Sequence, residues 1–94
     1  MEITEVKVTQ KRVKAYHETT KYTVEYNVTL GENNQYQDIN GTIKALDSEE
    51  TIAYINKSWE LSIRVVNGKE DLFIEVSQLT MDTLALLDEE IKKL

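Results

Sequence analysis

Tyr22-Thr-Val-Glu-Tyr-Asn-Val-Thr-Leu30 is the stretch whose reading decides the fold class. Tyr22, Val24, Tyr26, Val28 and Leu30 alternate with Thr23, Glu25, Asn27 and Thr29. Side chains of a strand point to opposite faces at successive residues, so this order makes one apolar and one polar face. A helix would scatter the same apolar set around its circumference. The segment therefore reads as a strand of an antiparallel sheet that is covered on one side only.

Towards the N-terminus, Ile3 to about Tyr16 is rich in Thr and Val but changes phase, with Val6 and Val8 on even positions and Val13 and Ala15 on odd ones. One extra residue, a β-bulge near Gln10–Arg12, accounts for the switch. The expected pairs are Val8 with Val28 and Val6 with Leu30 before the bulge, and Val13 with Val24 and Ala15 with Tyr22 after it. The connection then runs through Tyr16–Lys21.

Towards the C-terminus, Gly31-Glu-Asn-Asn-Gln35 has turn chemistry. A third strand follows, with Ile39, Ile43 and Ala45 facing inward. If Val28 faces Ile39, Tyr26 faces Gly41, and its ring covers bare backbone as in aromatic rescue of a strand glycine. Asp47-Ser-Glu-Glu50 has the spacing of a capping box, and Ile52, Ile55 and Trp59 recur at helical intervals. A helix is expected there, ending near Lys57. Asn67-Gly68 between β-rich runs predicts a type I′ hairpin. It sets Trp59, Leu61 and Ile63 against Val76, Ile74 and Leu72 on one face, and Arg64 against Asp71 on the other. A last helix is expected from Thr80, as its cap, to Leu94, with Leu84, Leu87, Ile91 and Leu94 as its apolar stripe. Asp88–Lys92 and Glu89–Lys93 add i,i+4 ion pairs.

The expected architecture is a single α+β domain over residues 1–94. Its order is β-β-β-α-β-β-α, most simply a five-stranded antiparallel sheet with two helices on one face. A chain of 94 residues fits one domain. The absence of cysteine excludes disulfides, cysteine–zinc sites and thiol catalysis. No apolar run approaches the ~18 residues of a membrane span, and Met1-Glu-Ile-Thr-Glu lacks the basic start of a signal peptide. The expectation is a cytoplasmic protein without membrane contact.

Seventeen acids against eleven bases give a net charge of −6, which disfavours wholesale binding to nucleic acid or anionic membrane. The charge is uneven. Residues 1–30 hold five bases and four acids, and residues 31–94 hold six bases and thirteen acids. Lys11, Arg12, Lys14, His17 and Lys21 lie close together, interleaved with Tyr16 and Tyr22. They suit a solvated hairpin edge that discourages strand-to-strand aggregation. They also suit a local contact for a phosphate or an acidic partner.

No catalytic, cofactor or metal residues are assigned. His17 is the one histidine, placed in a turn without a nucleophile beside it. Glycines 31, 41 and 68 form neither a Walker pattern nor G-x-G-x-x-G. Asp38-x-Asn40-x-Thr42 lacks the loop and closing Glu of a calcium site. The predicted hairpin places Phe73 on the outer face with Ser62 and Arg64, where an uncovered ring invites a partner. Unpaired sheet edges point to a homodimer.

By elimination the expected function is non-enzymatic binding through protein–protein contact. The gross features are similar in type to accessory proteins of phages and plasmids that inhibit or modulate a host factor. The alternative is sequestration of a small nucleotide-like ligand, or nucleic-acid binding, by the basic tip between Lys11 and Lys21. Mimicry of DNA is disfavoured, because Lys44, Lys57, Arg64, Lys69, Lys92 and Lys93 interrupt the acidic portion.

Overall fold

The computed structural model describes residues 11–94. Among these residues five strands run in chain order: β1 (Lys11–Glu18), β2 (Tyr22–Leu30), β3 (Tyr36–Ala45), β4 (Thr51–Lys57) and β5 (Leu61–Val65). A single helix, α1 (Phe73–Lys92), follows them. Every strand pairs antiparallel with its sequence neighbours, so the sheet is an open meander with β1 and β5 at its edges. The fold is α+β, with one helix where two were expected and with the order β-β-β-β-β-α.

The alternation in β2 builds the core. Tyr22, Val24, Tyr26, Val28 and Leu30 are all buried, beside Ile39 and Ile43 of β3 and Ile52, Ala53 and Ile55 of β4. From α1, Val76, Leu87 and Ile91 close the same core, which places the helix over that face alone. Val28 pairs with Ile39 and Tyr26 with Gly41, as the sequence predicts. A Cβ built on Gly41 would lie 2.7 Å from Cδ1 and Cε1 of Tyr26, so the ring lies directly on the glycine backbone. At its far end the Tyr26 hydroxyl donates to Thr83 Oγ1 at 2.7 Å, since the Thr83 hydroxyl proton is directed to the Leu79 carbonyl at 2.8 Å. Tyr26 thus ties β2, β3 and α1 together. Burial pushes its phenol pKa up.

The first hairpin has another register than expected. Val13 pairs with Val28 and Ala15 with Tyr26, not with Val24 and Tyr22. Thr19 is the reason. Its Oγ1 accepts from the amides of Lys21 (3.3 Å) and Tyr22 (2.9 Å), which fixes the reversal at Thr20–Lys21. Tyr16 and His17 consequently belong to β1 and not to the loop. Pairing runs without a break from Lys11 to Glu18, so no bulge occurs at Lys11 or Arg12. Val28 and Leu30 are taken by Val13 and Lys11, which overturns the pairs with Val8 and Val6. Those two valines, and Gln10, lie outside the described residues.

The helix expected over residues 47–57 is β4. A register shift between Ile43 and Lys44 sets Ala53 opposite Ile43 but Thr51 opposite Lys44, leaving Ile52 as an extra residue. Ile52 and Ala53 are therefore both buried. The bulge breaks the two-residue parity and spaces Ile52 and Ile55 like one face of a helix. The supposed cap is the hairpin turn itself. Glu49 takes a positive φ of 59°, and the Ala45 and Glu49 amides donate to Glu50 O and Ala45 O.

Asn67-Gly68 is a turn but not a hairpin. Only Gly68 has positive φ (90°), whereas type I′ requires it at both positions. The Lys69 amide closes the turn on Val66 O at 3.0 Å, and the Glu70 carboxylate accepts from the Gly68 amide at 2.9 Å. The chain leaves the sheet here and enters α1 through one 3-10 turn (Glu70–Leu72). The pairs of Leu72, Ile74 and Val76 with β5 residues, and of Arg64 with Asp71, do not form; β5 pairs with β4. Trp59, at the β4–β5 connection, is 99% exposed.

Nor does Thr80 cap a helix: it is fully buried inside α1 and donates to Val76 O at 2.8 Å. Among the stripe residues Leu87 and Ile91 are buried and Leu84 is packed on the core, but Leu94 is exposed. Asp88 and Lys92 pair at 3.0 Å, whereas Lys93 pairs with Glu90 rather than Glu89.

Candidate functional site

Because α1 covers only one side, the polar side of the strands carries no element among the described residues. Strand register orders it into transverse rows. Lys14, Asn27, Asn40, Asn56 and Ser62 form one, and Tyr16, Glu25, Thr42, Tyr54 and Arg64 the next. In the first row Asn56 Nδ2 donates to Asn40 Oδ1 at 2.6 Å, and Asn40 Nδ2 donates to Asp38 Oδ2 at 2.7 Å. The amides are held in a chain by their neighbours, which orients them without burying them. In the second row the Arg64 guanidinium lies 5.0 Å from the centroid of the Tyr54 ring, within cation–π range.

The short Asn, Thr and Ser side chains leave hollows between taller ones. One of about 370 Å³ is walled by Arg12 and Lys14, and one of about 350 Å³ by Tyr54 and Arg64. Asn40 borders both. The face carries the bases Arg12, Lys14, Lys44 and Arg64 and the acids Glu18, Glu25 and Asp38, with the signs interspersed. Four bases against three acids contrast with α1, where five acids face one base. Tyr16, 65% exposed at the β1 end, has its phenol pKa raised, first by desolvation and then by the Glu18 carboxylate.

Of the residues singled out from the sequence, Arg12, Lys14, Tyr16 and Arg64 share this open face. Lys11 and His17 have the opposite parity and sit on the helix side of β1. Lys11 Nζ reaches Asn34 Oδ1 at 3.5 Å. Lys21 is in the turn, 3.5 Å from Glu75 on α1. Phe73 opens α1 and is half exposed, away from Ser62 and Arg64, because the chain leaves the sheet at Gly68. The basic cluster of the sequence is thus split between two faces and a turn.

Sequence reasoning missed Tyr54 and the asparagine row. Asn27 and Asn40 were visible in the alternation of their strands. Tyr54 and Asn56 were hidden once residues 47–57 were read as a helix.

On the helix side, a groove of about 410 Å³ runs between β1 and α1, lined by Ala15, His17, Tyr26, Leu86 and Glu90 among others. No group of three or more metal-ligating side chains occurs among the described residues, and no described helix is long and apolar enough to cross a membrane. The fold and its bare face define an open-faced antiparallel meander backed by one helix. Comparison with protein-family models, curated proteins and solved structures found no match.

Proposed function

We propose that this is a non-enzymatic binding protein that acts by contact with another protein through the open sheet face. On this reading it is of the phage- or plasmid-type accessory kind, with a cytoplasmic host factor as the partner. The observation that supports the reading most is the open face itself, five strands wide, with oriented amides, two exposed tyrosines and charges of mixed sign. Mixed signs suit the equally mixed surface of a folded protein. A phosphate backbone asks for one sign along its track, and Glu25 and Asp38 stand among the bases. Tyrosine and arginine are the side chains that contribute most at protein interfaces, and Tyr54 and Arg64 are already stacked in place.

Affinity capture from host lysate tests this with wild type beside the Tyr54→Ala/Arg64→Glu double variant. The expected result is a stoichiometric partner retained by wild type and lost by a variant with an unchanged far-ultraviolet spectrum. Equal capture by both removes the open face as the contact surface.

A further inference from the structure

We infer that the edge of β1, which pairs with no further strand among the described residues, joins β1 of a second copy, antiparallel, about a two-fold axis through Ala15. The outward backbone groups of β1 are not needed by a contact through the open face, whereas the register of the pairing rests on Arg12, Lys14, Tyr16 and Glu18 of that face.

The backbone sets the geometry. The Thr19 amide donates to Tyr22 O at 2.8 Å, so Thr19 and Tyr22 are a hydrogen-bonded pair. Hydrogen-bonded and non-hydrogen-bonded pairs alternate along an antiparallel ladder. His17, Ala15 and Val13 therefore direct their N–H and C=O groups towards β2. Arg12, Lys14, Tyr16 and Glu18 direct theirs outward, where no described strand lies. An edge of this length without bulge or proline is a template for another strand.

The side chains then choose the partner and the register. Two copies related by an axis perpendicular to the sheet keep their open faces on one side, so even residues must oppose even residues. With Lys14 on the axis, two ammonium groups meet. With Ala15 on the axis, Arg12 faces the partner's Glu18 and Lys14 faces the partner's Tyr16, each twice by symmetry. With Tyr16 on the axis, Arg12 passes beyond the paired strand. The Ala15 register alone matches every charge of the face with an opposite charge or a ring. The other edge offers no such match, because β5 carries Arg64 as its one charge and no acid to meet it. On the helix side, the groove lined by Ala15, His17 and Leu86 lies beside this edge, and Leu86 is half exposed there. The partner's β1 would close it.

Sedimentation velocity on the full chain tests the inference. Wild type should pass from 10.9 kDa to twice that mass as concentration rises. Arg12→Glu and Glu18→Arg each place two like-charge pairs across the axis and should weaken association about tenfold or more. An equimolar mixture of the two restores both opposite-charge pairs and should dimerise like wild type, which no general damage to folding would allow. Ala15→Cys, the sole thiol in its chain, should oxidise to a linked dimer, because a non-hydrogen-bonded pair brings Cα atoms to about 4.5 Å, within disulfide reach. A wild type that stays at 10.9 kDa throughout overturns the inference. So does a dimer that both charge reversals leave intact, or a mixture that fails to recover.

Discussion

The two faces of the sheet differ in what each residue is asked to do. On the covered face Val24, Leu30 and Ile43 are fully buried against α1, and each methylene there contributes to folding. On the open face Asn40, Thr42 and Asn56 touch water, and Asn40 and Asn56 make hydrogen bonds to neighbours at the surface. The covered face is constrained by volume, whereas substitutions among the exposed polar side chains of the open face are expected to change stability little. A surface with that freedom is where partner chemistry can be written, which is why the proposed contact is placed there.

Substitutions should separate the two faces in order of effect. Ile43→Ala removes a fully buried side chain and should lower the urea unfolding free energy by about 2–5 kcal/mol. Gly41→Val is next. Its Cβ would meet the Tyr26 ring at 2.7 Å and Ile55 Cβ at 3.3 Å, overpacking worth about 1–3 kcal/mol by the same assay. Tyr26→Phe keeps the ring on Gly41 but deletes the link to Thr83, and should cost about 1 kcal/mol.

Smaller still is the effect of alkali. The Tyr36 hydroxyl donates to Asp88 Oδ1 at 3.0 Å, and desolvation followed by this carboxylate pushes its pKa to about 12 from 10.0. A raised folded-state value means that the native protein holds the proton more tightly than the unfolded chain. That contribution is fully present below pH 10.0 and is lost as pH rises through about 12. The melting temperature should fall across that interval, and Tyr36→Phe should shallow the fall. Asp88 behaves oppositely. Its pKa is lowered by Lys92 and then by Tyr36, so its contribution disappears as the solution becomes acidic.

What the sequence discloses follows the same division. Tyr22–Leu30 was legible because one uninterrupted alternation reports one buried face, and Gly41 opposite Tyr26 followed from it. β4 was not, because the extra residue Ile52 gave a strand the spacing of a helix. The start of α1 was not, because Thr80 and Thr83 fill its buried stripe. Their hydroxyls return to the carbonyls of Val76 and Leu79, so two residues that read as polar pack as apolar ones. Asn67-Gly68 signals reversal, but Asn67 does not take the positive φ of a type I′ hairpin, and the chain turns out of the sheet with the Glu70 carboxylate accepting from the Gly68 amide. The candidate surface was half legible. Arg12, Lys14 and Tyr16 share a parity that any strand would impose, and Arg64 joins them through two further strand pairings that local pattern does not encode.

The claim that the open face is spare for folding meets its most direct test in one urea unfolding curve, that of Asn27→Thr/Asn40→Thr/Asn56→Thr/Arg64→Thr. Threonine suits a strand better than asparagine, so the unfolding free energy should stay within about 1 kcal/mol of wild type. A cooperative loss of about 3 kcal/mol or more would show that these residues hold the sheet together, and the division between the faces would fall.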